Sequence, residues 1–271
     1  MLAEGFPVRF AARTAAGAAA LREHGVERTG LFGETRAAPS ELQAGVGAAS
    51  LRNCELDWIL VCTKTPAAEA VAAALCEVWD EIGGERRIVV CHNGWGSADR
   101  FAACLPRQRI YSARVITGFQ RRLPHAVEVT AHAEPIRIGS LYGADLSPLE
   151  ALCSAIARGG VPCEVSDDIE SELWSKMLYN CGLNPLGALI GVAYGELGRH
   201  AETRSILEAV ITEIFALLAA TGRQTRWRDA AEYLRVFWDE LLPPTAAHES
   251  SMLQDLRAGR RTEVDALNGA V

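Results

Sequence analysis

Two short runs of almost continuous apolar residues, separated by one helical stretch, constrain the fold of this chain most strongly. The first run covers Leu56–Cys62 and the second covers Arg87–Cys91. Runs without polar alternation are typical of strands that are covered on both faces of a parallel sheet. Pro66 fits the first turn of a helix that extends to about Asp80 between the two runs. This order of strand, helix and strand predicts a doubly wound α/β domain.

Polar side chains follow three of the predicted strands. Arg13 ends a short strand that begins at Val8, Lys64 follows the first apolar run, and Asn93 follows the second. Ligands of doubly wound domains bind at the carboxyl ends of strands. Each residue alone is better explained as an ordinary polar residue at a strand end, but three at successive ends weaken that explanation and make a binding site more plausible. The sequence contains neither a P-loop nor a G-x-G-x-x-G motif.

The pattern changes in the second half of the chain. Short strands are predicted over residues 109–117, 126–131 and 136–139, as antiparallel additions to the sheet. After Ser166 the periodicity is helical, with apolar stripes over 202–220 and 227–242, and Ser251 opens a further helix with a capping box. The change of period predicts two domains, 1–166 and 167–271.

One predicted helix, within residues 171–185, carries an unusual polar face. Lys176, Asn180 and Asn184 lie at i, i+4 and i+8, so they share one side of the helix, opposite an apolar side. An exposed face more often carries paired charges, and one ammonium with two amides is typical of a lined pocket. An ordinary surface face remains an equally good interpretation of the spacing alone. Pro185 predicts that the helix kinks or ends beside Asn184.

Composition narrows the functional class. The net charge of −7 makes nucleic acid or an anionic membrane an improbable general partner, and no apolar run is long enough for a membrane span. The eight cysteines include no C-x-x-C pair, which predicts reduced thiols in a cytoplasmic protein. The six histidines show no metal-ligand spacing, so no metal site is predicted.

Several motifs together resemble the ketopantoate reductases (2-dehydropantoate 2-reductases). The segments that carry the resemblance occur in the family's order: Cys62-Thr63-Lys64, His92-Asn93-Gly94, Glu172–Lys176 with Asn180 and Asn184-Pro185, Tyr194–Leu197, Ser250–Asp255, Arg261–Asp265 and Asn268-Gly269. The resemblance implies an α/β Rossmann-like N-terminal domain that binds NADPH. It also implies an all-α C-terminal domain of the 6-phosphogluconate-dehydrogenase-like type, which binds a 2-keto acid and forms a homodimer.

The resemblance assigns roles on the substrate side. Lys176 is expected to donate a proton, Asn180, Asn184 and Ser251 to hold the substrate, and Asn93 to contact both substrate and nicotinamide. These residue types suit the reaction, because a hydride that reaches the C2 carbonyl builds negative charge on its oxygen. A nearby ammonium stabilises that charge and then donates the proton.

On the cofactor side, the resemblance implies that Lys64 and Glu263 bind or orient the cofactor and that Arg13 contacts the 2′-phosphate. A guanidinium binds phosphate in a bidentate manner, which favours NADPH over NADH. The expected activity is therefore NADPH-dependent reduction of 2-dehydropantoate to pantoate, in pantothenate biosynthesis.

Departures from the family pattern leave alternatives open. Residues 2–5 match the end of the first helix, so we expect the first strand and the glycine-rich loop of the family, and its closing helices, to lie outside this sequence. His92 stands where the family often has Gln, and Tyr194 stands where some members have a substrate-binding Asn. The alternatives are a reductase of another branched or aryl 2-keto acid, or an inactive helical binding and dimerisation module.

Overall fold

The structure is a computed structural model that describes residues 5–271 and divides into two compact units. The α/β unit comprises the described residues up to Thr63 together with Ala67–Cys91 and Ala98–Ile169. The helical unit comprises Glu170–Val271 and two short loop segments, Lys64–Pro66 and His92–Ser97. The helix end predicted at residues 2–5 lies almost wholly outside the described residues.

The α/β unit contains three hydrogen-bonded sheets, in the orders β1-β4, β11-β10-β7-β6-β5 and β3-β2-β9-β8. The described strands are β1 (Val8–Ala12), β2 (Val26–Gly30), β3 (Thr35–Ala37), β4 (Leu42–Val46), β5 (Trp58–Val61), β6 (Arg87–Val90), β7 (Ile110–Arg114), β8 (Thr117–Leu123), β9 (Ala126–His132), β10 (Ile136–Gly139) and β11 (Cys163–Val165).

The two apolar runs form β5 and β6, which pair in parallel with Val61 beside Val90, as predicted. Val61 and Val90 pack against the buried face of the helix between the strands, which includes Ala72 and Leu75. The predicted cover on both faces is wrong for β5, which is an edge strand with Leu60 38% exposed. The predicted antiparallel arrangement of the later strands is correct for β7 with β10 and for β8 with β9. It is wrong for β7 with β6 and for β9 with β2, because both of these pairs are parallel.

The described α-helices connect and follow these strands. They are α1 (Ala15–His24), α2 (Ala68–Val78), α3 (Ser97–Ala102), α4 (Ser147–Arg158), α5 (Ile169–Ile190), α6 (Tyr194–Leu197), α7 (Ala201–Thr221), α8 (Ala230–Val236) and α9 (Ser251–Arg257). Thr14 caps α1, and its hydroxyl accepts a hydrogen bond from the Gly17 N–H at 3.1 Å. Gly222 ends α7 in the left-handed conformation, with φ of 68°.

The long helix α5 is the centre of the helical unit. Its apolar side, with Trp174, Met177 and Cys181, is buried in the core formed with α7 and α8. The prediction that α5 kinks or ends beside Asn184 is wrong as to its end, because the helix continues through Pro185 to Ile190. Proline lacks the N–H that would bond to the Cys181 carbonyl. The Asn268 side-chain amide donates to that carbonyl instead, at 3.0 Å.

Two further local predictions need correction. The predicted helix over 227–242 is α8 followed by a π-helical turn, Phe237–Leu241. The N-cap of α9 is Ser250 rather than Ser251, because the Ser250 hydroxyl accepts from the Leu253 N–H at 3.0 Å. Among the described residues, no helix combines the length and apolar character needed to cross a membrane.

Candidate active site

The loops after β5 and β6 converge on Glu263 in the helical unit. Glu263 accepts hydrogen bonds from the Thr65 N–H at 3.0 Å, from the Thr65 hydroxyl at 2.8 Å and from the Asn93 side-chain amide at 2.9 Å. The Thr65 hydroxyl also lies 3.1 Å from the Asn93 carbonyl oxygen. One carboxylate therefore fixes two loops that are distant from it in sequence.

Asn93 also connects this carboxylate to Lys176. The Lys176 ammonium donates to the Asn93 side-chain oxygen at 2.6 Å, while the nitrogen of the same amide donates to Glu263. These two bonds fix which way the amide faces, because an ammonium can only donate and an ionised carboxylate can only accept. Lys176, Asn93 and Glu263 thus form one continuous hydrogen-bonded chain.

Glu263 is buried but ionised. Its residue surface is 5% exposed. Burial alone would raise the pKa of Glu263, but the hydrogen bonds from Asn93 and Thr65 and the nearby Lys64 ammonium outweigh it and hold the pKa below its ordinary value. The site therefore contains a fixed negative charge at neutral pH.

Lys64 lies between two buried carboxylates. Its ammonium is 2.9 Å from Asp255 and 3.7 Å from Glu263, and its side chain is half-exposed. Asp255, which is 2% exposed, also accepts from Arg260 at 2.9 Å. Asp255 and Thr65 were not predicted as site residues. Asp255 lies in a segment that carries the family resemblance but had no assigned role, and the two residues are 191 and 198 positions from their partners.

Lysine is rare in this chain, and both copies belong to this cluster. Of the 27 basic residues, 25 are arginines, and Lys64 and Lys176 are the only lysines. Arginine carries the same charge but is not deprotonated in proteins, whereas a lysine ammonium can give up a proton. A lysine at position 176 is therefore consistent with proton transfer.

Asn184, Asn180 and Ser251 differ in their surroundings. The buried Tyr194 hydroxyl donates to the Asn184 side-chain oxygen, and the Ser250 hydroxyl donates to the Asn184 carbonyl at 3.3 Å. The Asn180 amide and the Ser251 hydroxyl, both half-buried, have no hydrogen-bond partner among the described residues. Their polar groups are thus available to a ligand.

The loop that carries Asn93 is held by close backbone packing. Gly94 has φ of 83°, and a Cβ atom there would lie 2.2 Å from the Ala266 carbonyl oxygen, so only glycine fits. The next residue, Trp95, donates its N–H to the same oxygen at 2.8 Å, and its ring packs against that of Trp174 with centroids 4.8 Å apart. These contacts position Asn93 relative to both α5 and Glu263.

His92, which directly precedes Asn93, is another buried titratable residue near Glu263. It is 5% exposed. Burial lowers the pKa of His92, and the negative charge of Glu263 opposes this only in part. His92 is therefore neutral at physiological pH.

Arg13 belongs to the α/β unit. It lies between β1 and α1, where its exposed side chain forms no ion pair or hydrogen bond with any other described residue. An unpaired guanidinium at the carboxyl end of a strand suits a phosphate group. The remaining predicted site residues all lie in the helical unit.

Family models match most of the chain. Residues 1–147 match the model described as ketopantoate reductase PanE/ApbA, and residues 168–271 match the model of the C-terminal part of ketopantoate reductase PanE/ApbA. The 2-dehydropantoate 2-reductase of Aquifex aeolicus is 34% identical over 199 residues, which are 73% of this chain and 64% of that enzyme. The matched region thus spans less than two thirds of that relative's length.

Solved structures share the fold. A 2-dehydropantoate 2-reductase from Geobacter metallireducens superposes with a TM-score of 0.85, at 21% identity, over 99% of this chain and 85% of that one. A D-mandelate dehydrogenase, solved as a ternary structure with NADH and anilino(oxo)acetate, superposes with a TM-score of 0.83 at 20% identity, over 99% and 84%. At these identities the similarity establishes the fold alone.

Proposed function

Because the chain belongs to the ketopantoate reductase family, we propose that it reduces the C2 carbonyl of 2-dehydropantoate to give pantoate, with NADPH as the hydride donor. The observation that carries this proposal is the chain of hydrogen bonds from Lys176 through Asn93 to Glu263. In this chain Lys176 can donate a proton, the Asn93 amide both accepts and donates a hydrogen bond, and Glu263 supplies a fixed negative charge.

Lys176 is the proton donor of the proposed reaction. A nicotinamide cofactor, when bound, would supply a hydride to the carbonyl carbon, so that negative charge would develop on the carbonyl oxygen. The Lys176 ammonium stabilises that charge and donates a proton to the oxygen, which yields the hydroxy acid. The bond from Lys176 to Asn93, 2.6 Å long, sets the direction of the ammonium.

Glu263 supports this role through charge and geometry. Its carboxylate is ionised and buried, and it binds the far side of the Asn93 amide. Through Asn93, this carboxylate holds the Lys176 ammonium in a fixed direction. Thr65 satisfies the other carboxylate oxygen, so Glu263 cannot turn away to pair with Lys176 directly.

The substrate carboxylate and hydroxyl are proposed to bind Asn180, Asn184 and Ser251. Amides and hydroxyls bind such groups without adding fixed charge. Tyr194 occupies the oxygen of the Asn184 amide, so the nitrogen is the group that Asn184 offers to a ligand. Asn184 therefore acts as a donor, which suits a substrate carboxylate or carbonyl oxygen.

The residues present fit a nicotinamide dinucleotide with a 2′-phosphate. Arg13 offers an exposed guanidinium with no partner among the described residues, at the carboxyl end of β1. Lys64 and Glu263 are proposed to orient the cofactor, because they lie in the same cluster as Asn93.

A direct assay tests the proposal. Purified protein is mixed with NADPH and 2-dehydropantoate, nicotinamide absorbance is followed, and pantoate is identified by mass spectrometry. The proposal requires stoichiometric loss of NADPH and formation of pantoate. Absence of both, in protein that is shown to be folded by circular dichroism, would refute it.

Tyr194 favours a second candidate, the reduction of another branched or aryl 2-keto acid. Its ring is buried, 5.8 Å from the ring of Tyr179 and 5.2 Å from that of His248. This aromatic group next to Asn184 suits an apolar substrate side chain. A panel of 2-keto acids distinguishes the candidates, since a higher kcat/KM for an aryl acid than for 2-dehydropantoate would favour the second.

A further inference from the structure

Six of the eight cysteines form three contacting thiol pairs in the α/β unit. The pairs, in each of which one thiol shifts the pKa of the other, are Cys62 with Cys91, Cys76 with Cys104, and Cys153 with Cys163. All of these thiols are reduced in the structure. Paired thiols in contact are the starting arrangement for a disulfide.

Two of these pairs connect the same two segments of the chain. Cys62 and Cys91 directly follow β5 and β6, whereas Cys76 lies in α2 and Cys104 follows α3. Lys64 lies between Cys62 and Cys76 in the first segment, and Asn93 lies between Cys91 and Cys104 in the second. A bond within either pair would join the two β-loop-α segments that supply these side chains.

A depression on the surface distinguishes the pair Cys76 and Cys104, because both thiols line it. Cys104 is exposed, Cys76 is half-buried, and both line one open depression on the surface. Arg100 and Glu69, which form an ion pair at 3.3 Å, line the same depression. Cys153 and Cys163 are buried and therefore closed to a dissolved reagent. Cys62 is exposed and Cys91 is half-buried, so this pair serves as the internal comparison for Cys76 and Cys104.

The local geometry places each sulfur against the backbone of the other segment. The Cys76 Sγ lies 3.5 Å from the Cys104 carbonyl oxygen, and the Cys104 Sγ lies 3.7 Å from the Ala72 carbonyl oxygen. Ala72 is one helical turn before Cys76 on α2. The two thiols can therefore meet through side-chain rotation, with little movement of the backbone.

We propose that Cys76 and Cys104 form a thiol–disulfide exchange site, which closes to an intramolecular disulfide on reaction with a low-molecular-weight disulfide such as oxidised glutathione. The thiolate of Cys104 attacks one sulfur of the reagent, which breaks the reagent's S–S bond and releases one thiolate. The Cys76 thiolate then attacks the Cys104 sulfur and releases the second. Two electrons pass to the reagent, and its two thiolates take up the two protons that the cysteines lose.

The rate of closure should depend strongly on pH. Burial and the neighbouring Cys76 thiol raise the pKa of Cys104 to about 11. Because the thiolate is the nucleophile, the rate of closure should increase about tenfold for each unit by which the pH rises, as long as the pH stays below that pKa. The pair should thus react slowly at neutral pH and resist brief oxidation.

Mass spectrometry tests this site in the full chain. The reduced protein is incubated with oxidised glutathione at two pH values, the remaining thiols are alkylated, and the digest is searched for linked peptides. The expected result is a linked peptide that contains Cys76 and Cys104, formed about tenfold faster one pH unit higher. Since the disulfide closes a loop of 28 residues, the melting temperature should rise by roughly 5–10 °C.

Serine variants supply the control. Cys76→Ser and Cys104→Ser should each abolish the linked peptide and the rise in melting temperature, whereas Cys153→Ser should abolish neither. Should a variant fold poorly, the peptide map of the unaltered chain decides alone. A protein that links Cys62 to Cys91 first, or that forms only mixed disulfides, would overturn the proposal. None of these results depends on reductase activity.

Discussion

At the scale of single residues, Glu263 illustrates how a carboxylate can be buried and still ionised. Two donors from Thr65 and one from Asn93 satisfy its oxygens, and Lys64 lies 3.7 Å away. The pKa of Glu263 is lowered in the folded state, so the group stabilises the fold above its unfolded pKa of about 4.3. That stability is lost as the pH falls through the folded value.

We expect Glu263→Gln to lower the free energy of unfolding by about 1–3 kcal/mol at pH 7, because the new amide nitrogen faces donors and leaves them unsatisfied. The difference between variant and unaltered protein should shrink as the pH falls below about 4. Urea unfolding at pH 7 and at lower pH measures both effects. The exposed Glu202→Gln serves as control, and an equal loss in both variants would contradict this account of Glu263.

Tyr194 is expected to set the orientation of the Asn184 amide. Tyr194→Phe keeps the ring packing but frees the Asn184 oxygen, so the amide can turn and offer an acceptor to the substrate. The lost bond, worth about 1 kcal/mol, should raise KM for the keto acid roughly fivefold and leave kcat nearly unchanged. Steady-state kinetics measures the two constants separately.

Tyr179→Phe is the matched control, because the Tyr179 hydroxyl bonds Thr245 and not a predicted substrate contact. It should leave KM unchanged. A Tyr194→Phe enzyme that lost kcat instead of substrate affinity would show that Tyr194 acts in the chemical step.

At the scale of elements, α5 shows how a tertiary contact overrides a local rule. Pro185 removes one helical donor, and the sequence therefore predicted a break there. The Asn268 amide donates to the orphaned Cys181 carbonyl at 3.0 Å, so the helix continues. This keeps Asn184 on the same helix as Lys176.

A double-mutant cycle tests this compensation. Asn268→Ala should cost about 1–3 kcal/mol of unfolding free energy, because it leaves the buried Cys181 carbonyl without a donor. In a Pro185→Ala background the restored N–H supplies the donor, so the same change should cost about 1 kcal/mol less. Equal costs in both backgrounds would mean that Asn268 stabilises the fold in another way.

The sequence predicts helix and strand boundaries well where residues close in sequence determine them. Thr14 begins one helix and Gly222 ends another through contacts within four residues, and both are residue types that local rules favour at these positions. At α9 the capping-box pattern predicted Ser251 as the N-cap, whereas the N-cap is Ser250, whose hydroxyl also donates to the distant Asn184 carbonyl. Strand β8 was mostly missed, because its exposed Arg121 and Arg122 break the apolar pattern.

At the scale of the whole molecule, the sequence indicated the α/β and helical organisation but not the grouping of the loops. Lys64–Pro66 and His92–Ser97 follow strands of the α/β unit, yet they pack with the helical unit. Their contacts with Asp255 and Glu263 span about 170 residues or more. Periodicity reports only local structure, and the resemblance to a family indicated Glu263 but not Asp255.

The α/β unit is expected to determine which nicotinamide cofactor the protein prefers. Arg13→Ala should raise KM for NADPH about tenfold or more, because a charge-assisted phosphate contact is lost, and should leave KM for NADH unchanged. Kinetics with both cofactors at saturating keto acid measures the effect. The exposed Arg22→Ala, on α1, is a suitable control. Equal losses for both cofactors would contradict a role in 2′-phosphate recognition.

The central claim is that the ammonium of Lys176 gives a proton to the reduced carbonyl. The most direct measurement is kcat for NADPH-dependent reduction of 2-dehydropantoate by the unaltered protein and by Lys176→Arg, with keto-acid binding followed by calorimetry. Arginine keeps the charge but holds its proton, so kcat should fall about 10²–10⁴-fold while binding persists. A Lys176→Arg protein with unchanged kcat would contradict the account.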